Sequence, residues 1–345
     1  MGKFFKLSFR PSSNKNALSE ETNAFFNSLS QGLNALERSL CDDHISLRWS
    51  AKAMEFLEGL HFELLSLLKK SKLPLKRGAE ESWLKQYLQD SIAILDFCNS
   101  LKLAVSRLDR YRLIVDITVQ KLGSNASLRL SSSKTVELER SLLENQTNLG
   151  FRMMADAVKL GSRVGDSGHT IENKNLTSAI FASKSVLVLV ALLLISAMVS
   201  PVSINLGDAD LPVMFPLLKP LFEMLSSLAR RFHERASAAG NRSGSVLAEQ
   251  GRVKKAMQEI EAQMEDGVVD EMKLLRSVEG LRTSSGGLRE GLEEFDSALD
   301  NLFDAVMRGR NEMSAVLRNS GRKDSMGRRL QITSSRDMIR LLCNG

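Results

Sequence analysis

Ser185 to Gly207 is a run of 23 residues without a charged side chain, and it limits the possible folds of this chain more than any other feature. Its centre reads Val186-Leu187-Val188-Leu189-Val190-Ala191-Leu192-Leu193-Leu194-Ile195, apolar on every side of a helix. Such a helix has to be covered all round, by lipid or by protein. About 20 mostly apolar residues cross the hydrocarbon layer of a bilayer. Pro201 lies near one end, which a membrane helix tolerates. The most apolar stretch, Val186 to Val199, is only 14 residues and equally suits the central helix of a bundle. Segment 179–206 is therefore read as one very hydrophobic helix, either transmembrane or buried, with a re-entrant or surface-inserted segment as the third reading. Val186, Leu189, Leu193 and Val199 mark it. If it spans, Lys174 and Lys184 on its N-terminal side place the preceding half in the cytosol. A second apolar patch, Leu211 to Leu225, is broken by Pro212, Pro216 and Pro220 and is too interrupted to cross. A helix starting near Pro220 and continuing to Arg231 is expected there.

The remainder reads as long amphipathic helices. Six prolines and two tyrosines in 345 residues leave a chain dominated by good helix formers, and alternating strand patterns are essentially absent. Residues 1–18 read as a flexible basic and aromatic arm, with Phe4, Phe5, Lys3 and Lys6 suited to touching a membrane surface. A helix is predicted from Ser19 with Phe25, Leu29, Leu33, Leu36 and Leu40 on one stripe. A second covers about Asp43 to Lys70, with Met54, Leu57, His61, Leu64 and Leu68 on its stripe. A third runs from about Glu80 to Leu122, its apolar face including Leu84, Leu88, Ile92 and Leu95. After a serine-rich linker at 124–134, another helix is expected over Lys134 to Leu160. The N-terminal bundle is thus 19–160, followed by a linker at 161–178. The segment 207–318 reads as a helical hairpin: Val253, Met257, Ile260 and Met264 on one arm, and Leu288, Leu292, Phe295, Leu299, Leu302 and Val306 on the other, spaced 4-3-4-3-4. Thr283 to Gly287 is the expected turn between the arms. The fold class is all-α: an elongated helical bundle of long amphipathic helices with one very hydrophobic central helix.

The net charge of +6 is modest, but it is unevenly placed. Lys69 to Arg77 holds five basic residues, and from Ala305 onward there are nine Lys and Arg against three Asp and Glu. The basic tail, 319–345, is suited to anionic lipid or an acidic partner. It lacks the interleaved aromatics that nucleic-acid binding calls for, so no nucleic acid is expected. Cys41, Cys98 and Cys343 are too few and too far apart for a disulfide framework. No secretory signal is read at Met1, and Lys6 stands where a myristoylation motif wants Ser or Thr.

Catalytic constellations were sought and none emerges. His44, His61, His169 and His233 lie far apart without metal-ligand spacing. His61, on an apolar stripe, reads as a packed histidine. No phosphate loop, nucleotide-binding glycine pattern, nucleophile elbow or zinc-protease motif occurs. Cys98 has no neighbouring His and reads as a small core residue. No catalytic, cofactor-binding or metal-binding residue is assigned, and neither enzyme activity nor a cofactor is expected.

The third helix does carry a signature. Trp83, Tyr87, Leu88, Asp90, Ser91, Leu95, Asp96, Cys98, Asn99 and Ser100 form the pattern W-x3-Y-L-x-D-S-x3-L-D-x-C-N-S, with Trp49 and Met54 in a second block upstream. This resembles the plant BYPASS-like family of helical proteins, best over residues 20–120. Physically, Trp83 and Tyr87 sit one turn apart and are expected to stack. Leu88, Ile92 and Leu95 are expected to pack, with Asp96 and Asn99 bonding a neighbouring helix. The resemblance implies a plant protein affecting root and shoot growth, with no known reaction, some relatives being linked to the exocyst. Together these observations lead to the expectation of a non-enzymatic adaptor or regulator, single-pass or peripheral, at the cytoplasmic face of the secretory system. Its expected partners are a protein, such as an exocyst subunit, and membrane lipid. The alternatives are a regulator of the synthesis of a small mobile growth-signalling metabolite, or a soluble helical scaffold.

Overall fold

A computed structural model describes residues 20–42, 44–70, 79–123, 148–160, 174–199, 202, 218–243, 245–265 and 270–342. Among these residues there are helices and no strands. In chain order they are α1 (Glu20–Asp42), α2 (Leu47–Lys70), α3 (Ala79–Gly123), α4 (148–160), α5 (Lys174–Met198), α6 (Lys219–Ser243), α7 (Ala248–Glu265) and α8 (Glu271–Leu342). The arm at 1–18, the linker at 124–134 and the first part of the helix expected from Lys134 fall outside the described residues, as does most of the basic loop after Lys70.

The apolar stripes of α1 and α2 are buried as expected from their spacing; of the residues singled out in the first two helices, only Leu64 is half-buried. The second helix starts at Leu47 rather than Asp43, because Ser46 caps it: its hydroxyl accepts the Trp49 amide at 3.1 Å. The corner before α2 is tied to the start of α7. The Ala248 amide donates to the Ile45 carbonyl at 2.9 Å, and the Leu47 amide donates to Glu249 Oε2 at 3.2 Å. Burial pushes the Glu249 carboxyl above its ordinary value, against the opposing pull of these amide bonds. Trp49 is fully buried beside Phe232 of α6, with its indole N–H on the Leu36 carbonyl at 3.3 Å.

α8 packs along α2 and α3 and against α7, while α5 packs against α2, α6 and α1. One hydrophobic core runs from Phe25 to Met313, so residues 161–178 do not separate two cores. Three boundaries differ from the sequence reading. α5 begins at Lys174, inside the segment read as linker. The segment 207–318 contains α6, α7 and the first part of α8 rather than a single hairpin. Thr283 to Gly287 is not a turn: α8 runs through it from Glu271, and α7, which packs against α8, ends at Glu265. The reason is the seam itself. Leu281 and Ser285 are buried in phase with Leu288, Leu292 and Phe295, and Ser285 donates to Asp116 of α3 at 2.5 Å. Packing of this stripe overrides the poor helix propensity of two adjacent glycines. The basic tail likewise continues the same helix, to Leu342.

α5 holds the first part of the 23-residue run, Ser185 to Met198. It is long and apolar enough to cross a membrane. In this structure it is the central helix of the bundle: every described residue from Asn175 to Val199 is buried or half-buried, including Val186, Leu189, Leu193 and Val199. Protein covers the faces that lipid would otherwise have to cover.

Candidate interaction site on the third helix

The signature of α3 resolves into a row of polar fastenings to other helices. Tyr87 is buried, and its hydroxyl lies 3.4 Å from His61 Nε2 of α2, the two rings stacked with centroids 6.1 Å apart. The His61 ring also bonds the Ala305 backbone of α8. Burial pushes His61 down to about 4, which the Ala305 bond opposes only in part. The imidazole is therefore neutral near pH 7. With its one N–H given to the Ala305 carbonyl, Nε2 is left to accept the Tyr87 hydroxyl. Burial also pushes the Tyr87 phenol well above its ordinary range. Gly309 of α8 passes directly over this pair: a Cβ there would lie 2.5 Å from the Tyr87 oxygen and 2.9 Å from His61 Nε2. Glycine is what lets α8 approach so closely.

One turn on, Arg310 of α8 donates from Nη1 to the Leu88 carbonyl at 2.6 Å and to Ser91 Oγ at 3.0 Å. The Ser91 hydroxyl in turn donates to the Leu88 carbonyl at 2.7 Å. Asp90 pairs with Lys184 of α5 at 2.8 Å and accepts Gln86 Nε2 at 2.8 Å. Further along, the Ser100 hydroxyl donates to Asp156 of α4 at 2.8 Å, and Lys159 holds the other oxygen of that carboxylate. Lys102 bridges to Asp296 and Asp300 of α8 at 2.7 and 2.8 Å. Cys98 is buried, and burial pushes its thiol up to about 12, which leaves it without thiolate character at neutral pH.

The structure therefore brings Tyr87, Leu88, Asp90, Ser91 and Ser100 into helix-to-helix contacts and buries Cys98. It does not do so for the whole signature. Leu95 is half-buried, as is the Leu88 side chain. Asp96 and Asn99 are exposed rather than set against a neighbouring helix end, and Ile92 is exposed where packing was expected. The side chain of Trp83 falls outside the described residues, so its stacking on Tyr87 does too. The exposed residues share one side of α3: Ile92, Asp96, Asn99 and Leu103 follow at 4-3-4 spacing, and Leu113 and Ile117 continue near the same side. Sequence reasoning missed Lys184 as a partner, although the signal was available: it is the one charge between Asn175 and Gly207. Arg310 has no comparable signal. Among the described residues, no group of three or more His, Cys, Asp and Glu comes together as metal ligands would.

Comparison with known proteins agrees with the resemblance read from α3. The chain is similar to the protein named BPS1, chloroplastic, of Arabidopsis thaliana, with 22% identity over 302 residues, covering 87% of this chain and 84% of that protein. It is also similar to UPF0496 protein 4 of Oryza sativa, with 25% identity over 189 residues to the indica protein and 28% over 135 residues to the japonica protein. Those matches cover 52% and 39% of this chain and span 41% and 29% of the rice proteins, less than half the length of either. The distant relatives of the chain thus include BPS1-like plant proteins. No family model matches the chain, and no solved structure matches it significantly.

Proposed function

We propose that this chain is a non-catalytic helical adaptor in plant growth and development, associated peripherally with a membrane of the secretory system rather than spanning it. The observation that carries the adaptor reading is the outer side of α3. Most of the signature is committed to holding the bundle together, yet Ile92, Leu103, Leu113 and Ile117 stay exposed with Asp96, Asn99, Ser106 and Arg110 between them. An apolar helical stripe of this kind gains affinity by burial in a partner's groove, with the polar residues setting register. An exocyst subunit is the partner we favour. The similarity to BPS1 supports the developmental setting. The peripheral reading rests on the enclosure of α5, since crossing a bilayer would strip that helix from the core it fills.

Proximity labelling in plant cells, with the full chain and with a Leu103→Glu/Leu113→Glu variant, tests the adaptor reading. Enrichment of vesicle-tethering proteins that the variant loses supports it. Enrichment of metabolic enzymes alone would favour regulation of a growth-signalling metabolite instead. The Arabidopsis relative is named as chloroplastic, which gives support to a second location, the chloroplast, and plastid proteins in the labelled set would favour it. Carbonate extraction of membranes tests the peripheral reading: release into the supernatant is expected, and retention in the pellet refutes it.

A further inference from the structure

The last part of α8 carries arginines at positions 318, 322, 329, 336 and 340, a 4-7-7-4 spacing. At 3.6 residues per turn, these five positions fall within an arc of about 40°. At 1.5 Å per residue they form one line about 33 Å long. The acidic residues of this stretch, Asp324 and Asp337, stand off that line. So do Lys323 and Arg328. All five positions lie beyond Met313, the last core residue among those described.

We propose that this arginine line is a docking strip for the phosphate headgroups of an anionic bilayer, an inference that deepens the membrane-associated reading above. A flat charged surface engages all five positions at once only when they share one side of the helix, which the 4-7-7-4 spacing provides. Guanidinium groups suit phosphate because their planar fork can donate two hydrogen bonds to one anion. A partner helix fits less well. It would require an apolar 3-4 seam beside the charges, and the seam positions are Met326, Leu330, Thr333, Asp337 and Leu341, interrupted by a hydroxyl and a carboxylate. Single-stranded RNA would call for stacking side chains, and no aromatic residue follows Phe303.

The test is co-sedimentation of the full chain with vesicles of phosphatidylcholine alone or mixed with phosphatidylserine, at low and high salt. Two variants remove the same charge: Arg322→Gln/Arg329→Gln on the line, and Lys323→Gln/Arg328→Gln off it. Binding to the anionic vesicles at low salt, lost at high salt, is expected. The on-line pair should weaken it about 30-fold, from the strength of one basic residue at an anionic surface taken twice, and the off-line pair by less than about 3-fold. Equal losses from the two pairs overturn the proposal. So do equal binding to neutral vesicles, no binding at low salt, and retention on polyuridylate without vesicle binding. Proximity labelling can fail for the adaptor reading while vesicle binding persists, so the two results are separable.

Discussion

The ion pair between Asp90 and Lys184 joins the signature helix to the apolar one, and its two halves should behave unequally when removed. The Lys184 side chain is 8% exposed, that of Asp90 24%. At 2.8 Å and an effective dielectric constant of about 20, their attraction is about 6 kcal/mol. Taking an ammonium out of water costs several kcal/mol, so the pair contributes little net stability. Asp90→Ala removes the attraction but leaves the buried charge, and should destabilise by about 3–5 kcal/mol. Lys184→Met removes the charge and keeps an unbranched apolar chain in the core. The carboxylate left behind is better exposed and keeps the Gln86 amide, so this change should cost about 1 kcal/mol or less. The double variant should then resemble Lys184→Met alone, with a coupling equal in size to the Asp90→Ala loss, about 3–5 kcal/mol. Urea unfolding followed by circular dichroism at a helix-sensitive wavelength measures all four chains. Equal losses for the two single variants would refute the burial of Lys184. No loss for either would remove α5 from the bundle altogether.

Glycines of α8 give a second pair of opposite outcomes. Gly309→Ala gains helix propensity worth about 1 kcal/mol but drives a methyl group into Tyr87 and His61, and overpacking of about 1–3 kcal/mol should lower the melting temperature. Gly287→Ala meets nothing within 4 Å and should raise the melting temperature by the propensity gain alone, about 0.5–1 kcal/mol. The third expectation concerns pH. His61 titrates near 6.5 when unfolded and about 4 when folded, so the unfolded chain binds the proton first as pH falls. Its contribution is complete above pH 6.5 and is lost on acidification towards pH 4, by about 3 kcal/mol in all. His61→Gln should flatten the dependence of unfolding free energy on pH across that window; an unchanged slope would show that His61 is already protonated in the folded chain.

The helical periodicity of Phe25 to Leu40 and of Leu288 to Val306 was sufficient to place those seams, because a buried stripe leaves its 3-4 spacing in the sequence whatever it packs against. The false turn at Thr283 to Gly287 arose from weighing local propensity above phase. Leu281 and Ser285 extend the same 4-3-4 register through the glycines, and a serine in that phase is the mark of a buried polar contact. Periodicity was less useful in α3, which is packed along α8 and touched by α2, α4, α5 and α7 at different heights. Its buried arc shifts along its length, and Ile92 consequently lies outside. Position along the chain also concealed the partners of the signature. Ser91 lies 219 residues from Arg310, and no local pattern connects them.

These contacts change what the signature means. A motif rich in Tyr, Asp, Ser and Cys invites a search for chemistry, yet its hydroxyls and the Asp90 carboxylate are engaged by Arg310, Lys184, His61 and Asp156, and its thiol is held protonated by burial. Among the described residues, what the bundle leaves exposed on α3 is its outer side. It differs in kind from the arginine line proposed above: it mixes Ile92, Leu103, Leu113 and Ile117 with polar and charged positions, whereas the line is a charge pattern in the sequence of α8. In the peripheral reading proposed above, the apolar helix stays enclosed in the bundle and is not offered to a bilayer. On that reading, membrane contact falls to charge at the surface, which is reversible and salt-sensitive, and partner contact falls to α3. That division is why a salt wash, rather than detergent, should be enough to free this protein from membranes.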